Sequence, residues 1–280
     1  MDEVRPQHSG PKHLLHLHLT MGDISQYFRL DQRVALITGG TSGLGLAIAE
    51  VFLQAGATVF ITARRADRGQ VALERLWPLG PVQFFPADVS QRWDVERLFD
   101  WLRGQTHRLD ILVNNAGIMQ FKDLTEMTED EWDREWGIHV KGTFLCTQQA
   151  LRFMLGQTSG VILNISSYLG LRGGSGFTPA YSSAKGAIVT FTKVLASRYG
   201  PHGIRANVLC PGFIPTDLNR HVFEEAPDPA AKRREIEERY PLRRLGEPID
   251  VALAALYLCS DAARWVSGAV LVIDGGLSAR

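Results

Sequence analysis

The residues with the clearest capacity for chemistry are Tyr181 and Lys185, in the run Tyr181-Ser182-Ser183-Ala184-Lys185. Positions four apart share one face of a helix, so the phenol and the ammonium can converge on one point. A phenol exchanges protons poorly near neutral pH, because its ordinary pKa is about 10. A lysine cation about 4 Å away contributes roughly 4 kcal/mol at an effective dielectric of 20. That attraction is expected to lower the pKa of Tyr181 toward neutrality and make it a general acid or base. By itself Tyr-x-x-x-Lys occurs on many helices, and its weight depends on what surrounds it.

The surrounding elements alternate between short apolar runs and amphipathic stretches. Residues 186–199 read as a helix, with Ala187, Ile188, Phe191, Val194 and Leu195 at helical spacing. Strands are expected at 34–37, 58–61, 82–85, 111–113, 161–165, 205–209 and 269–273. Helices are expected at 44–54, 67–76, 94–103 and 249–259, and over 129–155 with a break near Gly137. Continuous apolar strands alternating with helices imply an α/β fold, a doubly wound parallel sheet covered on both faces. No repeat or composition break divides residues 21–280, which read as one domain.

The chain has 280 residues, 45% of them apolar, with 30 basic and 30 acidic side chains. It is long enough for a substantial core, and its zero formal charge gives no reason to expect nucleic acid or an anionic membrane as partner. Cys146, Cys210 and Cys259 lie far apart without paired spacing, as reduced core thiols of a cytoplasmic protein do; no metal site is expected. Residues 1–20 hold His8, His13, His16 and His18 at spacings that match no ligand template. They read as a mobile extension ahead of Met21.

Directly after the first strand comes Thr38-Gly39-Gly40-Thr41-Ser42-Gly43-Leu44-Gly45, opening a helix. Strand, glycine-rich turn and helix N-terminus together suit a pyrophosphate, which glycine lets approach and the helix dipole attracts. The alternative is a tight strand-to-helix connection with no ligand. The second strand ends in Arg64 and Arg65, where a ribose 2′-hydroxyl would call for an acidic residue. Either these arginines receive a 2′-phosphate, which favours NADP(H) with NAD(H) possible, or they form a solvated basic turn.

These motifs, in this order, resemble the short-chain dehydrogenase/reductase family over essentially all of residues 21–280. Gly39, Thr41, Ser42, Gly43, Leu44 and Gly45 match its TGxxxGxG loop. Asp88 and Val89 fall where the family holds the adenine, and Asn115, Ala116 and Gly117 belong to its NNAG segment after the fourth strand. Ser167 matches the family's serine, with Ser166 as the other register. Pro211, Gly212, Ile214 and Thr216 match the stretch that holds the nicotinamide, and Asp274-Gly275-Gly276 the closing motif. The resemblance implies that Tyr181 exchanges the proton, that Lys185 supports it and binds the nicotinamide ribose, and that Ser167 holds the substrate oxygen. His139 stands where the family usually has an asparagine, serving either as a relay for protons or as a structural residue in the helix bend.

The expected activity is oxidoreduction between a secondary alcohol and a ketone, of the 3-oxoacyl-thioester reductase or the sugar-acid and polyol dehydrogenase type. The alternative is a nucleotide-binding sensor or scaffold. A lid without a fixed core is expected at about 216–240, where Arg220 and His221, like Arg172 before Tyr181, either meet an anionic substrate or are merely solvated. The resemblance and an outer helix face carrying Ala184, Ala187 and Val189 imply a homotetramer.

Overall fold

The computed structural model describes residues 23–173 and 178–279; the histidine-bearing extension at 1–20 lies outside them. Seven strands, β1 (Val34–Thr38), β2 (Thr58–Ala63), β3 (Val82–Pro86), β4 (Ile111–Asn114), β5 (Gly160–Ile165), β6 (Ile204–Pro211) and β7 (Val270–Ile273), form one sheet. Their order is β3-β2-β1-β4-β5-β6-β7, and every pairing is parallel. The order reverses between β1 and β4, and a crevice must open there beyond the carboxyl ends of the strands.

The helices that cover the sheet are α1 (Gly43–Gln54), α2 (Ala66–Leu76), α3 (Arg92–Gln105), α4 (Glu129–Trp136), α5 (Gly142–Gln157), α6 (Leu169–Arg172), α7 (Pro179–Tyr199), α8 (His221–Glu224), α9 (Pro229–Glu238) and α10 (Pro248–Cys259). Successive side chains of a strand point to opposite faces, and β1 divides its residues accordingly. Ala35 and Ile37 join a core with Ile48, Phe52 and Val251, under α1 and α10. Val34 and Leu36 join the opposite core with Leu98, Phe99 and Leu145, under α3 and α5. All three cysteines are buried and unpaired.

Three buried polar side chains fasten the sheet to α7. Asn114 donates to Asn164 at 2.9 Å, and Asn164 donates to the Thr192 hydroxyl, also at 2.9 Å. A buried polar chain of this kind fixes strand and helix in a single register.

The structure departs from the sequence expectation in three places. The helix expected to break near Gly137 continues through a single wide π turn, Gly137–Lys141, between α4 and α5. Such a turn inserts an extra residue without ending the helix, and it re-aims the side chains it carries. The segment expected to lack a core has a small one: Ile236, Tyr240 and Leu245 are buried against Phe213, Val222, Phe223 and Leu277. Finally, the helix face read as outward is partly inward. Ala184 and Val189 are buried within the subunit, and Val189 packs on Val208 and Cys210 of β6.

Candidate active site

The crevice is a cavity of about 1140 Å³ running from the β1–α1 turn to the lid. At its inner end the glycine-rich turn leaves room for a ligand because side chains are absent where backbone must approach. Gly39 has φ +65°, and a Cβ there would stand 2.9 Å from the Asn115 amide and 3.0 Å from the Ala116 Cα. Ser42, at the N-cap of α1, makes no side-chain capping bond, so the first amides of α1 stay open toward the cavity. Of the loop residues read from the sequence, Gly39, Thr41, Ser42, Gly43 and Leu44 line the cavity. Gly45 does not. It lies behind the turn, where a Cβ would meet the Gly39 carbonyl oxygen at 2.3 Å, so its role is packing.

Arg64, Arg65, Asp88, Val89, Asn115, Ala116 and Gly117 also line the cavity, as do Pro211, Gly212, Ile214 and Thr216 on its other side. The set fits a dinucleotide: open helix amides for a pyrophosphate, and a guanidinium pair beyond β2 for a further phosphate. Arg68, one turn after Arg64, was not singled out from the sequence. It lines the same end and pairs with Asp217 of the lid at 2.7 Å.

At the centre the structure brings Ser167, Tyr181, Lys185 and His139 to one wall. The two candidate serines both line the cavity but differ in their partners. The Ser166 hydroxyl donates to the Lys185 carbonyl at 2.7 Å, whereas the Ser167 hydroxyl faces Tyr181. Tyr181 and Lys185 lie in the first two turns of α7, which Pro179 opens. Only 7% of Tyr181 and 4% of Lys185 is exposed.

That burial reverses the expected electrostatics of the pair. Loss of water raises the Tyr181 pKa well above its ordinary value, although the Ser167 hydroxyl draws it back in part. Lys185 does not stand against the phenol oxygen. Its Nζ is 5.4 Å from the Tyr181 ring centroid and donates to the Ile165 carbonyl at 2.7 Å. Burial also lowers the Lys185 pKa to about 8, so the group holds its proton at neutral pH but by a narrow margin.

His139 sits on the π turn with its ring edge against Tyr181, 5.3 Å between centroids. Its Nε2 is 2.7 Å from the Ile118 carbonyl oxygen, and its buried Nδ1 has no hydrogen-bond partner. Burial, then the Lys185 charge, holds its pKa well below the usual imidazole range. Both effects favour the neutral ring.

Glu135, four residues before His139, escaped the sequence reading. It is 0% exposed. One carboxylate oxygen accepts the Gln120 backbone N–H at 2.7 Å, and the other has no partner. Burial raises its pKa to about 6, against the pull of the Gln120 amide and the Lys185 charge. A glutamate on a helix ordinarily marks a solvated face; only the tertiary packing of α4 on α7 shows that this one does not.

A carboxyl whose pKa rises on folding destabilises the fold once pH exceeds its unfolded value, near 4.5, and the cost is complete above about 6. The difference corresponds to about 2 kcal/mol. Glu135→Gln keeps an acceptor for Gln120 and removes the charge. Its Tm should match wild type near pH 4.5 and exceed it by several degrees at pH 7. A Tm difference that stays constant across that range would contradict this assignment.

Comparison with known proteins places this geometry. Residues 39–278 match the family model described as Enoyl-(Acyl carrier protein) reductase. The chain is 35% identical over 251 residues to the 3-oxoacyl-[acyl-carrier-protein] reductase FabG of Aquifex aeolicus, covering 89% of this chain and 98% of that one. It is also 35% identical over 252 residues to the cyclopentanol dehydrogenase of Comamonas testosteroni, with 90% and 99% covered. Among solved structures it superimposes on a putative 2-deoxy-D-gluconate 3-dehydrogenase from Agrobacterium tumefaciens with bound NADP. There the TM-score is 0.82 and the identity 36%, over 91% of this chain and 99% of that one. Sheet order, glycine-rich turn, buried tyrosine–lysine pair and these relatives agree: the chain belongs to the short-chain dehydrogenase/reductase family.

Proposed function

We propose that this oxidoreductase uses NADP(H) to interconvert a secondary alcohol and a ketone, with Tyr181 exchanging the proton. The observation that carries the reading is the convergence of Tyr181, Ser167 and Lys185 on one cavity wall, beside a turn shaped for a dinucleotide. When bound, the nicotinamide supplies or accepts the hydride. The residues of the chain do the rest. The Ser167 hydroxyl holds the substrate oxygen beside Tyr181 and orients it. In reduction the Tyr181 hydroxyl releases its proton to that oxygen as negative charge develops there; in oxidation it takes the proton back. A phenol with a raised pKa keeps its proton until that charge appears, and the protonated Lys185 then stabilises the phenolate left behind.

His139 completes the path. A neutral imidazole with one nitrogen held by Ile118 and the other unpartnered and buried can hold a water between Lys185 and solvent. His139→Leu should slow turnover at least tenfold per folded molecule. Unchanged turnover with only a lowered Tm would leave His139 a structural residue.

Arg64 and Arg65 support the choice of NADP(H), as does the bound NADP of the Agrobacterium tumefaciens structure. Arg64→Asp removes a charge-assisted contact of about 1.5–3 kcal/mol, so preference for NADP(H) over NAD(H) should fall roughly ten- to a hundredfold. A wild-type enzyme that already prefers NAD(H) would overturn the cofactor reading.

The relatives above are named for an acyl-carrier thioester, a cyclic alcohol and a sugar acid, and the substrate of this chain belongs within that range. Assembly as a homotetramer is part of the same proposal, read from the resemblance; only monomer by light scattering at micromolar concentration would remove it.

A further inference from the structure

The cavity is far more basic than the protein. The chain balances 30 cations with 30 anions, whereas cations outnumber carboxylates along the cavity by a wide margin. Arg64 and Arg65 are explained by a dinucleotide, and Lys185 by the chemistry. Asp217 lies between Arg68 and Arg220 and bonds to both. Two cations remain without an assigned task, Arg172 at the end of α6 and Arg239 at the end of α9.

We infer that Arg172, assisted by Arg239, forms an anion subsite, and that the substrate carries a carboxylate or phosphate within a few bonds of the reacting carbon. The inference rests on the oxidoreductase reading above and narrows it.

The geometry favours an external anion for Arg172. Its one hydrogen bond among the described residues runs from Nη1 to the Leu277 carbonyl at 3.1 Å, and it makes no ion pair there. That bond anchors one arm of the fork on a side chain that lines the cavity and leaves the other N–H groups for a carboxylate or phosphate. Arg239 pairs with Glu235 one turn back on its own helix, at the exposed surface, where such a pair contributes little and is readily shared. Both guanidinium groups act on the same phenol. Tyr168 is pushed up by burial and drawn back first by Arg172, then by Arg239. Asp274, whose charge acts on the same Tyr168, is occupied by the Gly276 and Ser278 amides at 3.0 and 2.7 Å.

Position sets the length of the substrate. From Ser167 the chain turns helically, with Gly170 N–H bonding the Ser167 carbonyl at 3.0 Å and α6 following. Ser167 and Arg172, five residues apart across this turn and α6, line the same cavity, so an anion at Arg172 lies within reach of the oxygen that Ser167 holds. An acid of sugar size reaches from one to the other. The phosphate of a long thioester arm lies many bonds from its carbonyl and would fall outside this pocket. Of the two substrate types read from the sequence, the subsite favours the short acid.

The test uses matched probes on the full-length enzyme. NADPH oxidation is followed with acetoacetate against its methyl ester, 5-keto-D-gluconate against D-fructose, and dihydroxyacetone phosphate against dihydroxyacetone. At least one charged member should exceed its neutral partner tenfold or more in kcat/KM, and its identity separates carboxylate from phosphate. Arg172→Gln should reduce that charged-to-neutral ratio roughly ten- to a hundredfold, mainly through KM, and Arg172→Lys should restore part of it. NADPH affinity, read by fluorescence, shows that each variant is folded. Neutral partners that do as well as charged ones, a ratio unmoved by Arg172→Gln, or acetoacetyl-coenzyme A preferred over every short acid would each overturn the subsite. In parallel, the NADP⁺-loaded enzyme is titrated calorimetrically with D-gluconate, D-sorbitol and glycerol 3-phosphate. An anion that binds wild type and not Arg172→Gln supports the subsite even if no ketone turns over, a result that would sink the oxidoreductase reading alone. No binding of either anion, with no charged ketone preferred, sinks the subsite alone.

Discussion

The site depends on keeping a lysine charged where almost no water reaches it. Lys185 is 4% exposed and its pKa is depressed to about 8, which leaves it protonated at neutral pH only because nearby groups offset the lost hydration. The Ile165 carbonyl, at the end of β5, accepts one of its protons. The carboxyl of Glu135 on α4 supplies opposing charge from across the packed helices. The sheet, α7 and the π turn must therefore hold their relative positions for the cation to persist. The buried Asn114–Asn164–Thr192 chain, spanning β4, β5 and α7, holds the first two.

The π turn joins that constraint to the fold. By carrying Gly137–Lys141 through a wide turn, the long helix presents His139 toward Tyr181 one turn after Glu135. Both then clasp the segment that follows β4, His139 at Ile118 and Glu135 at Gln120. Each also retains one buried polar atom without a partner. An orphaned polar atom is tolerable on His139, which lines a cavity that admits water or ligand, and costly on Glu135, which does not line it.

Much of this was legible in the sequence because it rests on short-range rules. Apolar period and glycine-rich punctuation located all seven strands, and the Tyr181–Lys185 spacing on a helix is a matter of 3.6 residues per turn. What the sequence did not disclose depends on packing between distant segments. No local pattern distinguishes the inward-facing Glu135 from a solvated glutamate. Gly45 reads like its neighbours in the loop, yet packs against the Gly39 carbonyl instead of lining the cavity. For Tyr181 the pairwise charge of Lys185 is visible in the sequence, whereas the desolvation that raises the phenol's pKa is not. The small core under the lid likewise forms between residues far apart in the chain, among them Phe213, Ile236 and Leu277.

The central claim is that the Tyr181 hydroxyl moves the proton. Its most direct measurement is turnover of Tyr181→Phe, per folded molecule, with NADPH affinity measured on the same sample. The substitution removes one oxygen and leaves the buried ring against His139. The account predicts a loss of at least a hundredfold, within the 10²–10⁴ range of such steps, with cofactor affinity nearly unchanged. A variant that kept more than about a hundredth of wild-type turnover would contradict it.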